Sequence, residues 1–273
     1  MKLFYRLRIY TLPFLAIAIS SFFFISDVAQ SRGKLILIDR ATELKMGEEA
    51  YKEILSKAVL STDSRLTGAI RSVGGKIARV ASEPKFNWEF NLIEEVKPNA
   101  FCLPGGKVGV NTGILPIAKT EAGLAAVMGH EVAHAIARHG AERMSHSLLI
   151  NFIGNVFMNR SPKYKRNRKL YSAAYGFGAA VIVTLPFSRK HELEADDMGL
   201  IYMAKAGYDP REAKKFWIRF AKYGKNNRES DVLSFLSTHP PDSERIARIE
   251  KLLPKALEVY EKSAKIGAGT PLL

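Results

Sequence analysis

The sequence predicts an α+β fold, mainly helical, with one small and mainly antiparallel sheet set in front of its longest helix. Three observations lead there. Apolar residues return every three to four positions over most of the chain, which is the helical period. Between residues 88 and 111 the period falls to two, around a Pro-Gly-Gly turn. Composition supplies the third: 47% apolar and 25% charged residues over 273 positions provide a core and exclude a disordered or low-complexity chain.

Taken in order, Lys2, Arg6 and Arg8 precede an apolar run at residues 9–26, interrupted only by Thr11, Pro13, Ser20 and Ser21. As a helix this run is about 27 Å long, barely enough for a ~30 Å hydrocarbon core. Residues 1–30 therefore read as a secretory signal or an N-terminal membrane anchor, cleavage being left open. Helices are predicted at 41–58 (Leu44, Tyr51, Ile54, Leu55) and 64–81 (Leu66, Ile70, Val73, Ile77). Residues 88–93 alternate like a strand, and residues 100–103 and 107–111 flank Pro104-Gly105-Gly106 as a hairpin. A short segment, 113–118, leads into the longest helix, from Glu121 to about Met144, with Thr120 as its N-cap. The apolar stretch 151–158, a basic connector at 159–169 and a Gly/Ala-rich apolar stretch at 170–187 follow. The next helix, 189–206, stops at Gly207; Asp209-Pro210 opens another, and Asp242 caps a last one towards Tyr260.

Charge and cysteine content narrow the function. The 41 Lys and Arg against 27 Asp and Glu give a formal net charge of +14, which suits lipid headgroups, an acidic partner or nucleic acid. Cys102 stands alone, so the chain has no internal disulfide and no all-cysteine zinc site. Without a close basic neighbour it reads as a packing residue rather than a nucleophile. A metal site here must use histidines and carboxylates.

Such a site is visible. His130-Glu131-Val132-Ala133-His134 is an H-E-x-x-H segment on the longest helix. Residues four apart on a helix are rotated by only about 40°, so both imidazoles emerge from one face and can hold one Zn2+. Glu131 projects one step round, towards water rather than metal. A catalytic zinc wants a third protein ligand and an open position. On the 189–206 helix, Glu192 and Asp196 share a face whereas Glu194 points elsewhere. This assigns Glu192 to the metal and Asp196 to a supporting hydrogen bond on a ligand imidazole. No acid occurs from Arg143 to His191, and then four arrive between Glu192 and Asp197.

With these residues in view, the chain resembles metallopeptidase family forty-eight, zinc endopeptidases that include the HtpX heat-shock protease, the CAAX prenyl proteases and the mitochondrial overlapping-activity protease. The resemblance rests on Gly129 to His134, on Ser188-Arg189 with Glu192-x-Glu194-Ala195-Asp196-x-x-Gly199, and on Thr238-His239-Pro240 with Arg245. It covers roughly residues 35–253; the basic stretch 160–169 has no counterpart in it. Residues 99–113 and 140–145 look like the soluble, exported bacterial branch. The resemblance implies a gluzincin-like zincin domain over residues 31–265, a flexible tail at 266–273, one Zn2+ per chain, and a location in the periplasm or on the inner membrane facing it. It also implies Glu192 as zinc ligand and Asp196 as its support, the pair that helix geometry selects.

The expected chemistry is hydrolysis of peptide bonds in misfolded or membrane-associated proteins, with a zinc-activated water and Glu131 as general base. His239 lies on a loop. Either it reaches the zinc, as a removable fourth ligand or as a donor to the developing oxyanion, or it is a loop histidine held by its prolines. Arg245 reinforces either role, or pairs near Glu244. His139 lies nine residues after His130, half-way round a continuous helix, and is excluded from the metal. His146 and His191 read as structural or exposed.

Residues 99–102 are either an edge strand beside the zinc helix, able to take an extended polypeptide by strand addition, or an internal strand. Nine cations and no acid between Arg143 and Lys190 suggest a lobe on an anionic membrane surface, with 170–187 as an apolar helix packed beside the site as the alternative. A catalytically silent, zinc-scaffolded chaperone or adaptor is the competing function, against which Glu131 stands. Nucleic-acid binding lacks any recognisable module and is set aside. Oligomeric state is open.

Overall fold

The computed structural model describes residues 34–81, 83, 86–158, 188–226, 239 and 243–273, with side chains 150–158 outside that description. The expected signal or anchor at 1–30, the basic and apolar stretches 159–187 and the Asp242 cap lie outside the described residues. Among the described residues, no helix is long and apolar enough to cross a membrane.

Asp39 caps α1 (Arg40–Lys57), its carboxylate accepting the Thr42 amide at 3.0 Å. Helix α2 (Ser64–Ala81) turns Ile70, Val73 and Ile77 into the core. Strands β1 (Glu89–Ile93), β2 (Ala100–Leu103) and β3 (Lys107–Asn111) follow. Gly105 and Gly106 close the β2–β3 hairpin at φ 89° and 82°, a left-handed conformation that favours glycine.

The sheet corrects one expectation. Its order is β1-β3-β2, with β2 antiparallel to β3 but β1 parallel to it, so it is mixed rather than mainly antiparallel. After β1 the chain reverses through a loop wide enough for β3 to slot between β1 and β2. Period-two alternation marks strands but carries no information on direction.

A 3-10 turn (Thr112–Ile114) and the short α3 (Leu115–Ala118) lead to α4 (Glu121–Ile136), where Thr120 accepts the Gly123 amide at 3.3 Å. Helix α4 is buried along nearly its whole length. Here too the sequence expectation fails: the helix does not run on to Met144. Arg138 takes φ 59°, and α5 (His139–Met158) starts afresh. A non-glycine residue holds that conformation only when contacts over-determine it. The Arg138 guanidinium supplies them, donating to Glu43 Oε2 at 2.7 Å and to the Ile38 carbonyl at 2.9 Å.

Ser188 caps α6 (Arg189–Lys205), accepting the His191 amide at 3.3 Å. Helices α7 (Arg211–Asn226) and α8 (Ser243–Glu261) complete the described core. Helices α4 and α6 cross at Gly129 and Gly199, where a Cβ on Gly129 would sit 2.9 Å from the Gly199 carbonyl oxygen. Two glycines let the backbones touch, and this close approach delivers Glu192 on α6 to the imidazoles of α4.

Residues 266–273, expected as a flexible tail, are instead docked along the start of α4. The carbonyls of Ala268 and Thr270 accept the Ala122 and Glu121 amides at 3.0 and 3.1 Å, and Leu272 is 1% exposed. The tail thus satisfies amides that any helix N-terminus leaves without an intrahelical partner.

Candidate metal centre

On α4, His130 and His134 present their Nε2 atoms 3.1 Å apart, as residues one helical turn apart on a shared face should. Glu192, from the first turn of α6, brings Oε2 to 3.4 Å from His130 Nε2 and Oε1 to 3.3 Å from His134 Nε2. His239 adds Nδ1 at 3.3 Å from His130 Nε2 and 3.1 Å from Glu192 Oε1. One donor atom from each of these four buried residues lies within 4.8 Å of the others.

Four donors around a cation with ~2.0–2.1 Å arms stand about 3.3 Å apart in a tetrahedron, so these separations fit a zinc-sized ion. The protonation pattern agrees. His130 Nδ1–H donates to Asp196 Oδ1 at 2.9 Å, which directs Nε2, the atom that must lose its proton to bind a cation, at the other donors. Burial opposes charge on His130, but the Asp196 and Glu192 carboxylates outweigh it and raise its pKa to about 9. Binding of a cation therefore displaces a proton there.

The carboxylates are held charged. Burial by itself would raise the Glu192 pKa, yet the imidazoles of His239, His130 and His134 bring it well below the ordinary carboxylate value. Asp196 is likewise lowered against its burial, by Arg245 and His130. Arg245 from α8 grips Asp196 with two bonds of 2.7 Å, reaches Glu192 Oε2 at 3.0 Å, and lies with its guanidinium carbon 4.0 Å from the Trp217 ring centroid. It stands behind the ligands, not in the cleft. Glu244, suggested as its neighbour in charge, pairs with Arg189 instead at 2.9 Å.

Glu131 differs from the other acids. Burial raises its pKa, partly offset by His239 and His130, and its Oε1 has no hydrogen-bond partner among the described residues. It faces a cleft lined by residues 99–104, His134, Ala135 and His239. Strand β2, at the edge of the sheet, forms the opposite wall, which favours the edge-strand alternative over the internal one. Cys102 on this wall is half-buried and packs against the core, and desolvation raises its thiol pKa well above the ordinary value, as for a packing residue.

Comparison with known proteins agrees with this geometry. The family model described as Peptidase family M48 matches residues 64–253. The chain belongs to peptidase family M48. It is 40% identical over 225 residues to the mitochondrial metalloendopeptidase OMA1 of Schizosaccharomyces pombe, covering 81% of this chain and 64% of that protein. Its identity to the Saccharomyces cerevisiae OMA1 is 35% over 248 residues, 85% of this chain and 70% of that one. The β-barrel assembly-enhancing protease of Escherichia coli is more distant, at 26% over 248 residues, 86% of this chain and 49% of the relative.

These matches correct the expected location. A periplasmic or periplasm-facing chain of the exported bacterial branch should be most similar to the bacterial enzymes, whereas the higher identities are to mitochondrial proteins.

Two histidines of this M48 chain were set aside by sequence reasoning and stand at the centre nonetheless. His139, 0% exposed, places Nδ1 at 3.0 Å from His134 Nδ1, because the break at Arg138 swings α5 back over α4. Burial pushes the His139 pKa down to about 2, keeping the ring neutral. His191 stacks on it with centroids 4.3 Å apart and bonds Glu142 Oε2 at 3.1 Å, so it is buried rather than exposed. His146 is exposed, as expected. Arg143, from α5, is also buried near Glu192 and Glu131. The sequence signals for the two histidines were proximity alone: His139 lies five residues after His134, and His191 directly precedes Glu192.

Proposed function

We propose that this chain is a zinc-dependent endopeptidase acting on misfolded or membrane-associated polypeptides, as part of protein quality control in a mitochondrial setting. The observation that carries the reading is the convergence of four side chains able to hold a metal ion beside a buried carboxylate, Glu131, one oxygen of which has no hydrogen bond among the described residues.

His130, His134 and Glu192 would hold the ion, and Asp196 fixes the His130 tautomer. Zinc, when bound, supplies Lewis-acid polarisation of a carbonyl and lowers the pKa of water towards ~7. Glu131 takes the proton of the attacking water and returns it to the leaving amine; a carboxyl raised by burial is better matched to that exchange than an exposed one. The β2 edge lies along the cleft, where an extended peptide can pair with its backbone and bring a scissile bond to Glu131.

The test is casein cleavage by the purified full chain. Cleavage that a chelator abolishes and added zinc restores is the expected result. A chain that binds one zinc yet never cuts casein would instead fit the non-catalytic scaffold that holds unfolded polypeptides.

His239 occupies the position of a fourth ligand, with its Nε2 3.6 Å from Glu131 Oε1. In that seat it competes with water for the Glu131 carboxylate and closes the site. His239→Ala should therefore keep zinc and cleave a peptide substrate at least as fast as the native chain. A fall of about 10²-fold or more would give His239 the oxyanion-donor role instead.

A further inference from the structure

We propose that His139 is a positioning residue for His134: its Nδ1 accepts the His134 Nδ1–H, and Glu194 with Lys34 holds the His139 ring in the orientation that allows it. This rests on the zinc reading above and adds a second support arm to it.

Donors and acceptors along the arm fix where each proton sits. His139 Nε2 lies 3.2 Å from Glu194 Oε2. A carboxylate only accepts, so the proton between them belongs to His139 Nε2. A neutral His139 then has a lone pair on Nδ1. Two Nδ1 atoms 3.0 Å apart share a single proton, and it must be carried by His134. His134 Nε2 is thereby left as a lone pair directed at His130 Nε2 and Glu192 Oε1, at 3.1 and 3.3 Å. Without the relay, His134 could equally carry its proton on Nε2, where it would block a cation.

The arm is anchored at its outer end. Lys34 donates to Glu194 Oε1 at 2.9 Å and to the Ala137 carbonyl at 3.2 Å, at the break between α4 and α5. The His191 ring, stacked at 17° on His139, sets the plane of the relay imidazole. Each α4 ligand thus has its own support ending in a cation: His130 through Asp196 to Arg245, and His134 through His139 and Glu194 to Lys34. The second arm is longer, passes through a neutral ring, and reaches the surface, where the Glu194 side chain is 36% exposed.

Zinc affinity of the full-length chain, measured by competition with a chromophoric chelator, tests this. The native chain and His130→Ala are measured first, because failure of the native chain to bind zinc would defeat the parent reading rather than the relay. His139→Phe keeps an aromatic ring and removes the acceptor; it should weaken zinc binding by about 10- to 100-fold. His139→Asn restores an acceptor close to the Nδ1 position and should recover affinity to within about threefold of native. Native affinity in a folded His139→Phe, or an Asn variant as weak as the Phe variant, would reduce His139 to a packing residue and overturn the proposal. Should His139→Phe not fold, Glu194→Ala at the partly exposed end decides: it removes the acceptor of the His139 Nε2–H and should weaken zinc binding measurably, and unchanged affinity would overturn the relay.

Discussion

Glu131→Gln is expected to bind zinc as the native chain does and to lose about 10²–10⁴-fold in peptide hydrolysis, the range that a positioned general base contributes. The reason lies in where the carboxylate sits. It is 3% exposed, directed into the cleft beside His134 and His239, with Oε1 in no hydrogen bond among the described residues and His239 Nε2 3.6 Å away. A buried acceptor left unsatisfied costs about 1–3 kcal/mol, so the fold tolerates it only where something outside the protein completes it. An amide in its place keeps size and shape but cannot take a proton. Zinc content by elemental analysis and turnover of a fluorogenic peptide separate the possibilities. Activity within tenfold of native, with zinc intact, would move the base to another residue; loss of zinc would make Glu131 a structural element of the site.

Arg245→Leu should lower stability by about 3–5 kcal/mol and release the metal together with it. One guanidinium, 2% exposed, serves two buried carboxylates: Asp196 through two bonds, and Glu192 through a third. Removing one member of a buried ion network leaves uncompensated charge, which costs far more than the network is worth relative to an apolar replacement. Leucine is shorter than arginine and leaves part of the space over Trp217 empty, so a cavity cost adds to the electrostatic loss. Arg245→Lys should recover little, because an ammonium cannot bridge Asp196 with two parallel bonds. Urea unfolding of the full chain in excess zinc reads the difference from the midpoint. A change below about 1 kcal/mol with a selective drop in kcat would instead place Arg245 at the reacting groups.

How much of this was legible beforehand depended on distance along the chain. The elements 64–81, 100–103 and 107–111 occur where periodicity put them, since helical and extended repeats are local properties of the residues themselves. His130 and His134 share a face for the same reason. Glu192 could be named from the spacing of acids on its helix, but spacing says nothing of how close that helix comes. The Gly129–Gly199 crossing decides this, and it brings together two glycines far apart in sequence.

The sequence excludes His139 from the metal on one assumption, that the helix continues past Ile136. Nothing within a few residues of Arg138 announces a left-handed turn; what enforces it is Glu43, on a helix 95 positions earlier. The parallel pairing of β1 and the docking of Leu272 beside Lys119 were hidden for the same reason, as both depend on partners brought near only by folding.

The amino-acid order by itself determined the helical and extended segments, the pair of imidazoles on one helix face and the acids able to join them, because rotation per residue is built into the backbone. Folding alone decided which of those groups meet, which histidine stands behind which imidazole of the pair, and which carboxylate faces the cleft. These are separations between remote segments, and they are settled by packing, burial and charge compensation across the whole core.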